Sequence, residues 1–156
     1  MYQKKYMDEA VSLSRQCLAT GKGGPFGAVV VKDGQIVGRG SNHVTLINDP
    51  TAHAEVMAIR DACQRLNTFQ LTGCEIYTSC EPCPMCYGAI YWARPDKVYY
   101  AATRVDAMQA GFDDSYIYEE LNLPLNERGI SAEQHDAGEA AEVLKTWFKL
   151  DQKIDY

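Results

Sequence analysis

The chain has 156 residues, of which 46% are hydrophobic, and this is enough to build the core of one domain. Its 15 lysine and arginine residues against 21 aspartate and glutamate residues give a formal net charge of −6, which disfavours a nucleic-acid partner because phosphates are bound by clustered cationic side chains. No stretch approaches the roughly 20 apolar residues of a membrane span, and the first residues lack the pattern of a signal peptide. We therefore expect one domain over residues 1–156, located in the cytoplasm, with no membrane or nucleic-acid partner.

Along the chain, the hydrophobic pattern alternates between helical spacing and the short apolar runs of strands. Gly21 marks the end of a first helix, Asp33-Gly34 favours a hairpin turn, and Pro84 suits the first turn of a later helix. The patterns predict, in chain order, a helix over 7–18, strands over 26–31 and 35–40, a polar loop over 41–50, a helix over 51–66, a strand over 75–79, a helix over 84–94, a strand over 97–103 and a helix over 137–150. This order predicts an α/β fold, a three-layer α/β/α sandwich around a central mixed sheet.

Three cysteines lie three residues apart in the segment CEPCPMC, from Cys80 through Cys83 to Cys86. A redox pair requires only two thiols at the start of a helix, so this alternative stays open. An iron–sulfur cluster requires a fourth cysteine shortly after Cys86, and none follows. A catalytic zinc site requires three protein ligands and an open fourth position. We prefer Cys83 and Cys86 as two of these ligands, because a helix that begins at Pro84 would present both sulfurs on one face.

Among the three histidines, His53 alone lies at the start of a predicted helix with a carboxylate, Glu55, two residues later. A His-x-Glu motif followed by Pro-Cys-x-x-Cys is the signature of zinc deaminases. The signature predicts one zinc ion per chain, bound by His53, Cys83 and Cys86. In such a site the zinc activates a water molecule, and Glu55, which does not bind the metal, carries protons from the water to the substrate.

Residues 21–118 resemble the bacterial guanine deaminases of the cytidine deaminase-like superfamily. The resemblance is carried by the segments GGPFGAVVVKDG, SNHVTLINDPTAHAEVMAIR, YTSCEPCPMCYGAIYWARP and AGFDDSYIY. The zinc motifs identify only the superfamily, whereas GAIYWARP, AGFDDS and the C-terminal tyrosine point to guanine. The resemblance implies a cytidine deaminase-like fold and the zinc-dependent hydrolysis of guanine to xanthine and ammonia in purine salvage or catabolism.

The same resemblance implies a role for each of five residues around a purine base. Phe26 would stack on the purine ring, and Asn42 would hydrogen-bond to its edge. Trp92 and Phe112 would form walls of the pocket. Asp114 would contact the exocyclic amine and assist proton transfer.

The resemblance also implies a domain-swapped homodimer. In such a dimer the C-terminal segment, about residues 137–156, would lie on the partner subunit, and Tyr156 would close the partner's site. Other functions stay open from the residues alone: deamination of cytosine, guanosine or a tRNA adenosine, a zinc-binding module without catalysis, and a thiol oxidoreductase.

Overall fold

The structure is a computed structural model of residues 1–156, and its internal contacts divide the chain into two units, Met1–Asp114 and Ser115–Tyr156. The first unit contains α1 (Lys4–Thr20), β1 (Gly27–Lys32), β2 (Gln35–Ser41), α2 (Val44–Ile47), α3 (Ala54–Leu66), β3 (Cys74–Cys80), α4 (Pro84–Ala93), β4 (Lys97–Ala102) and α5 (Arg104–Gln109). The second unit contains α6 (Ser115–Asn122), a 3₁₀ turn (Leu125–Glu127) and α7 (Ala137–Phe148). None of these helices combines the length and the apolar character that a membrane crossing requires.

The four strands form one mixed sheet in the order β2-β1-β3-β4. Strand β1 is antiparallel to both β2 and β3, and β3 is parallel to β4. The hairpin turn between β1 and β2 consists of Asp33 and Gly34, both with positive φ (49° and 74°), as a two-residue type I′ turn requires.

Helices cover both faces of this sheet. Successive residues of β1 and β3 point to opposite faces, so Val29 and Tyr77 pack with α1, whereas Val30 and Ile76 pack with α3 and α4. Because β1 is buried on both faces, it has a continuous apolar run rather than an alternating pattern. The predicted three-layer α/β/α sandwich around a mixed sheet is confirmed.

Two glycines of β2 allow α3 to lie directly on the sheet. A Cβ atom on Gly40 would lie 2.1 Å from the carbonyl oxygen of Ala54 and 2.4 Å from the backbone nitrogen of Ala58, and Gly38 is equally crowded against α3. Only glycine fits this close approach of backbone to backbone. The contact holds the first turn of α3 against the sheet.

The structure differs from the sequence prediction at three places. The predicted loop over 41–50 contains the one-turn helix α2, which ends at Ile47 and is followed by Asn48 with φ of 54°. Helix α3 begins at Ala54 rather than Thr51, because His53 has an extended backbone. The pattern after residue 103 did not predict α5, α6 or the 3₁₀ turn.

Candidate metal centre and active site

His53 and Cys83 occupy equivalent positions in two different helices. Each is the residue immediately before the first helical residue, His53 before α3 and Cys83 before α4, and each has an extended backbone. Neither side chain caps its own helix, so both can turn to another partner. Cys86 is the third residue of α4, and side chains at this position and at the preceding cap face each other. The Cys-x-x-Cys spacing therefore brings the two sulfurs together at the positive end of a helix dipole, which favours thiolates.

These three side chains converge on one point. The Nδ1 atom of His53 lies 3.5 Å from the sulfur of Cys83 and 3.5 Å from the sulfur of Cys86. A tetrahedral zinc ion with bonds of about 2.0–2.1 Å to nitrogen and about 2.3 Å to sulfur separates such ligand atoms by about 3.5 Å. One imidazole and two sulfurs are also a donor set that zinc prefers. The three residues fit a zinc ion, and the predicted zinc cofactor is confirmed.

The pKa values of the two cysteine thiols in the cluster shift in opposite directions. A hydrogen bond from Cys86, aided by His53, lowers the pKa of Cys83 to about 4 against the opposing effect of burial. The neighbouring Cys83 sulfur and burial raise the pKa of Cys86 far above its usual range. The hydrogen bond to Cys83 raises the pKa of His53. Metal binding therefore has to displace protons from this cluster.

Glu55 lies beside the ligands as the second residue of α3. Its side chain is only 6% exposed, and its Oε1 atom accepts a hydrogen bond of 3.0 Å from the hydroxyl of Thr78 on β3. Its Oε2 atom accepts a hydrogen bond of 3.4 Å from the Cys86 thiol. Burial raises the pKa of Glu55, and these hydrogen bonds oppose that shift. A buried carboxyl group with a raised pKa next to a metal site is suited to general acid–base catalysis.

Cys80 lies at the end of β3 but outside the ligand cluster. The sulfur donates a hydrogen bond to the Thr103 carbonyl oxygen at 3.6 Å. Burial raises the pKa of Cys80 to about 11, so this residue stays a neutral thiol near neutral pH. The cluster consists of His53, Cys83 and Cys86, so it contains the pair of cysteines that the position of Pro84 favoured.

Asn42 is buried between the end of β2 and the start of α2. Its Oδ1 atom accepts hydrogen bonds from the backbone nitrogens of Gly24, at 3.1 Å, and Val44, at 3.2 Å. These two donors identify Oδ1 as the amide oxygen and leave the Nδ2 group to donate elsewhere.

Phe26 and Phe112, two of the residues that the resemblance assigns to the base, contact each other. Phe26 lies two residues after Gly24, and its ring lies edge-to-face against the ring of Phe112, with the ring centroids 4.9 Å apart. Phe26 is half-buried and Phe112 is partly exposed, so both rings keep surface free for a ligand.

Asp114 is half-buried two residues after Phe112. Desolvation raises the pKa of Asp114, and the next largest cause is the charge of Cys83, so its carboxyl group lies within electrostatic range of the metal site. Trp92 is 63% exposed on α4, and Tyr156 is 67% exposed in the second unit. Their roles in a pocket stay predictions.

Comparison with known proteins agrees with this geometry. The profile of the family described as the cytidine and deoxycytidylate deaminase zinc-binding region matches residues 1–102. Guanine deaminase from Bacillus subtilis (strain 168) is 52% identical over 156 residues, which cover the whole of both chains. The X-ray structure of Bacillus subtilis guanine deaminase superposes with a TM-score of 0.96 over 100% of this chain and 99% of that one, at 52% identity.

Two further relatives differ in the substrate that their names give. The tRNA-specific adenosine deaminase of Aquifex aeolicus (strain VF5) is 40% identical over 125 residues, which are 80% of each chain. The structure of guanine deaminase from Nitrosomonas europaea has a TM-score of 0.68 at 30% identity and covers 90% of this chain and 72% of that one.

The family match covers residues 1–102, which include His53, Glu55, Cys83 and Cys86. This chain belongs to the cytidine and deoxycytidylate deaminase zinc-binding family.

Proposed function

We propose that this protein is a zinc-dependent guanine deaminase that hydrolyses guanine to xanthine and ammonia. The observation that carries the chemistry is the position of Glu55, buried beside the cluster of His53, Cys83 and Cys86. The similarity to Bacillus subtilis guanine deaminase over the full length of both chains supports the choice of substrate.

The reaction replaces an amino group on a ring carbon by a carbonyl oxygen. Zinc held by His53, Cys83 and Cys86 supplies Lewis acidity, which makes water a nucleophile near neutral pH. Glu55 takes one proton from the attacking water and delivers it to the adjacent ring nitrogen. It then takes the second proton, which remains on the added oxygen, and delivers it to the departing amine as the carbonyl forms and the carbon–nitrogen bond breaks. Asp114, which we place at the exocyclic amine, assists the second transfer. Ammonia leaves and xanthine remains.

Asn42 supports guanine over adenine as the base in this pocket. Guanine presents two neighbouring acceptors, N7 and O6, whereas adenine presents an acceptor beside an N–H donor. The Oδ1 atom of Asn42 is occupied by backbone donors, so the side chain offers only N–H groups. These groups match the acceptors of guanine and oppose the exocyclic donor of adenine. Phe26 offers a ring face for stacking.

Deamination of adenosine in tRNA is the second candidate, and the 40% identity to the Aquifex aeolicus enzyme favours it. The net charge of −6 argues against it, since binding of an RNA stem-loop depends on cationic side chains.

A substrate panel separates these functions. Zinc-loaded protein is assayed for ammonia release from guanine, cytosine, adenine and guanosine, and for inosine formation in tRNA, with and without a chelator. We expect guanine to be consumed at least about 100-fold faster than any other compound, and chelation to abolish the reaction. A panel in which tRNA or another base is preferred overturns the guanine assignment, and a panel with no product overturns the enzyme assignment.

We also propose that the protein is a homodimer whose C-terminal segment, about residues 137–156, lies on the partner subunit. Helix α7 supports this proposal, because its apolar side chains are exposed within the single chain: Val143, Leu144 and Phe148, the last of which is 75% exposed. A helix with an apolar stripe requires a covering surface. In this dimer Tyr156 closes the partner's site.

Mixing two inactive variants tests the exchange of C-terminal segments. Glu55→Gln chains lack the proton carrier, and Tyr156→Ala chains lack the closing residue. If Tyr156 acts on the partner's site, a mixed dimer contains one complete site, and refolding the two variants together restores activity. Without an exchange, the mixture has no more activity than the two variants measured separately.

The cytoplasm is the compartment that we propose for this protein. All six cysteines are free thiols, and a reducing environment keeps thiols free.

A further inference from the structure

Thr78 is a polar residue in the middle of the most buried strand. It lies on β3 between Ala28 of β1 and Tyr100 of β4, and its side chain is completely buried. Because residues two apart on a strand share a face, Thr78 points to the same side as Ile76, which is the side covered by α3 and α4. A buried hydroxyl group is costly unless it has a hydrogen-bond partner.

The partner of this hydroxyl is the carboxylate of Glu55. Thr78 donates to Oε1 at 3.0 Å, whereas Oε2 points to Cys86 in the ligand cluster. The two carboxylate oxygens therefore have separate surroundings. Oε1 is held by the central sheet, and Oε2 faces the metal ligands.

We infer that Thr78 is a positioning residue, which fixes the Glu55 carboxylate so that one oxygen is always presented to the metal site. The inference rests on the proposed deaminase function. Thr78 acts through Glu55 and contacts no substrate. A proton carrier must lie within hydrogen-bond reach of the water and of the ring nitrogen in turn, and a carboxylate free to rotate spends less time in that geometry.

A pair of substitutions separates the hydroxyl from the shape of the side chain. Thr78→Val keeps the branched shape and removes the donor, whereas Thr78→Ser keeps the donor and removes a methyl group. We expect kcat for guanine to fall about tenfold or more in Thr78→Val and to stay within about twofold in Thr78→Ser. KM and the zinc content are expected to stay unchanged in both variants.

If the role of Thr78 is purely structural, the kcat values of the two variants are ranked in the opposite order. If Thr78 only fills space, Thr78→Val resembles the wild type and Thr78→Ser is the impaired variant, and this result overturns the inference. A fall in zinc content or a rise in KM that accounts for the loss in Thr78→Val also overturns it.

The urea midpoint of the zinc-loaded protein is a second readout, independent of turnover. We expect Thr78→Val to lower the midpoint when residue 55 is glutamate and to leave it unchanged or raise it in a Glu55→Ala background. Equal shifts in both backgrounds would show that the two side chains are not coupled.

If the wild type releases no ammonia from any base, the proposed function and the positioning role both fail. An active wild type with an equally active Thr78→Val variant refutes the positioning role alone.

Discussion

Replacing Glu55 with glutamine should reduce catalysis and increase stability at the same time. Glutamine has the same shape and keeps an acceptor for Thr78, but it cannot take up a proton. Loss of a general acid–base group reduces the rate by about 10²–10⁴-fold, so we expect kcat for guanine to fall by at least about 100-fold. Zinc content should not change, since Glu55 is not a ligand.

The effect on stability follows from the burial of Glu55. Its side chain is 6% exposed, and desolvation raises its pKa above the ordinary value of 4.5. The folded protein therefore binds this proton more tightly than the unfolded chain. The group favours folding below pH 4.5, and this contribution is lost as the pH rises through the raised pKa. The glutamine variant has no titratable group at this position, so it does not lose this contribution as the pH rises.

Urea unfolding of metal-free protein measures this difference. We expect Glu55→Gln to be about 1–2 kcal/mol more stable than the wild type at pH 8 and nearly equal to it at pH 4. Asp33→Asn is the control, because it removes an exposed carboxylate from a turn that suits asparagine equally well. A variant that is less stable than the wild type at pH 8, or that keeps more than a tenth of its kcat, would refute the reasoning.

Three further predictions concern the fold, the metal and the base. Gly40→Ala should lower the free energy of unfolding by about 2–4 kcal/mol, because the added methyl group clashes with α3. Gly88→Ala is the control: Gly88 lies in α4 with open space around it, so the substitution should raise the free energy of unfolding by up to about 1 kcal/mol. Urea titration measures both values. Zinc uptake by metal-free protein at pH 7 should release at least about one proton, because the raised pKa of Cys86 keeps its thiol protonated until the metal binds. Calorimetry in two buffers of different ionisation enthalpy counts the released protons. Uptake without proton release would contradict the raised pKa of Cys86. Asn42→Ala should lower kcat/KM for guanine by about 10–100-fold, and an unchanged value in steady-state kinetics would remove Asn42 from base recognition.

The metal ligands could be predicted because local sequence determines their placement. A residue that precedes a helix and one in its first turn face each other whatever the rest of the fold, so Cys83 and Cys86 follow from Pro84 alone. Their contact with His53 depends on two helices that share one face of the sheet. Residue spacing alone does not predict this contact, and the deaminase signature was needed to identify His53 as the third ligand.

The hydrogen bond between Thr78 and Glu55 could not be predicted from the sequence. Thr78 and Glu55 are 23 residues apart, and nothing in the strand pattern distinguishes a threonine that orients a carboxylate from one that fills the core. Helix α5 did have a local signal that the hydrophobic pattern missed. Thr103 and Asp106 form a capping box, in which each side chain bonds the backbone of the other.

X-ray absorption spectroscopy at the zinc edge tests the central claim most directly. We predict one zinc ion per chain with two sulfur neighbours at about 2.3 Å and two nitrogen or oxygen neighbours at about 2.0–2.1 Å, one of them exchangeable. In His53→Ala protein the light-atom shell should change while both sulfurs remain. Three or four sulfur neighbours, or a wild-type spectrum from His53→Ala protein, would contradict the account.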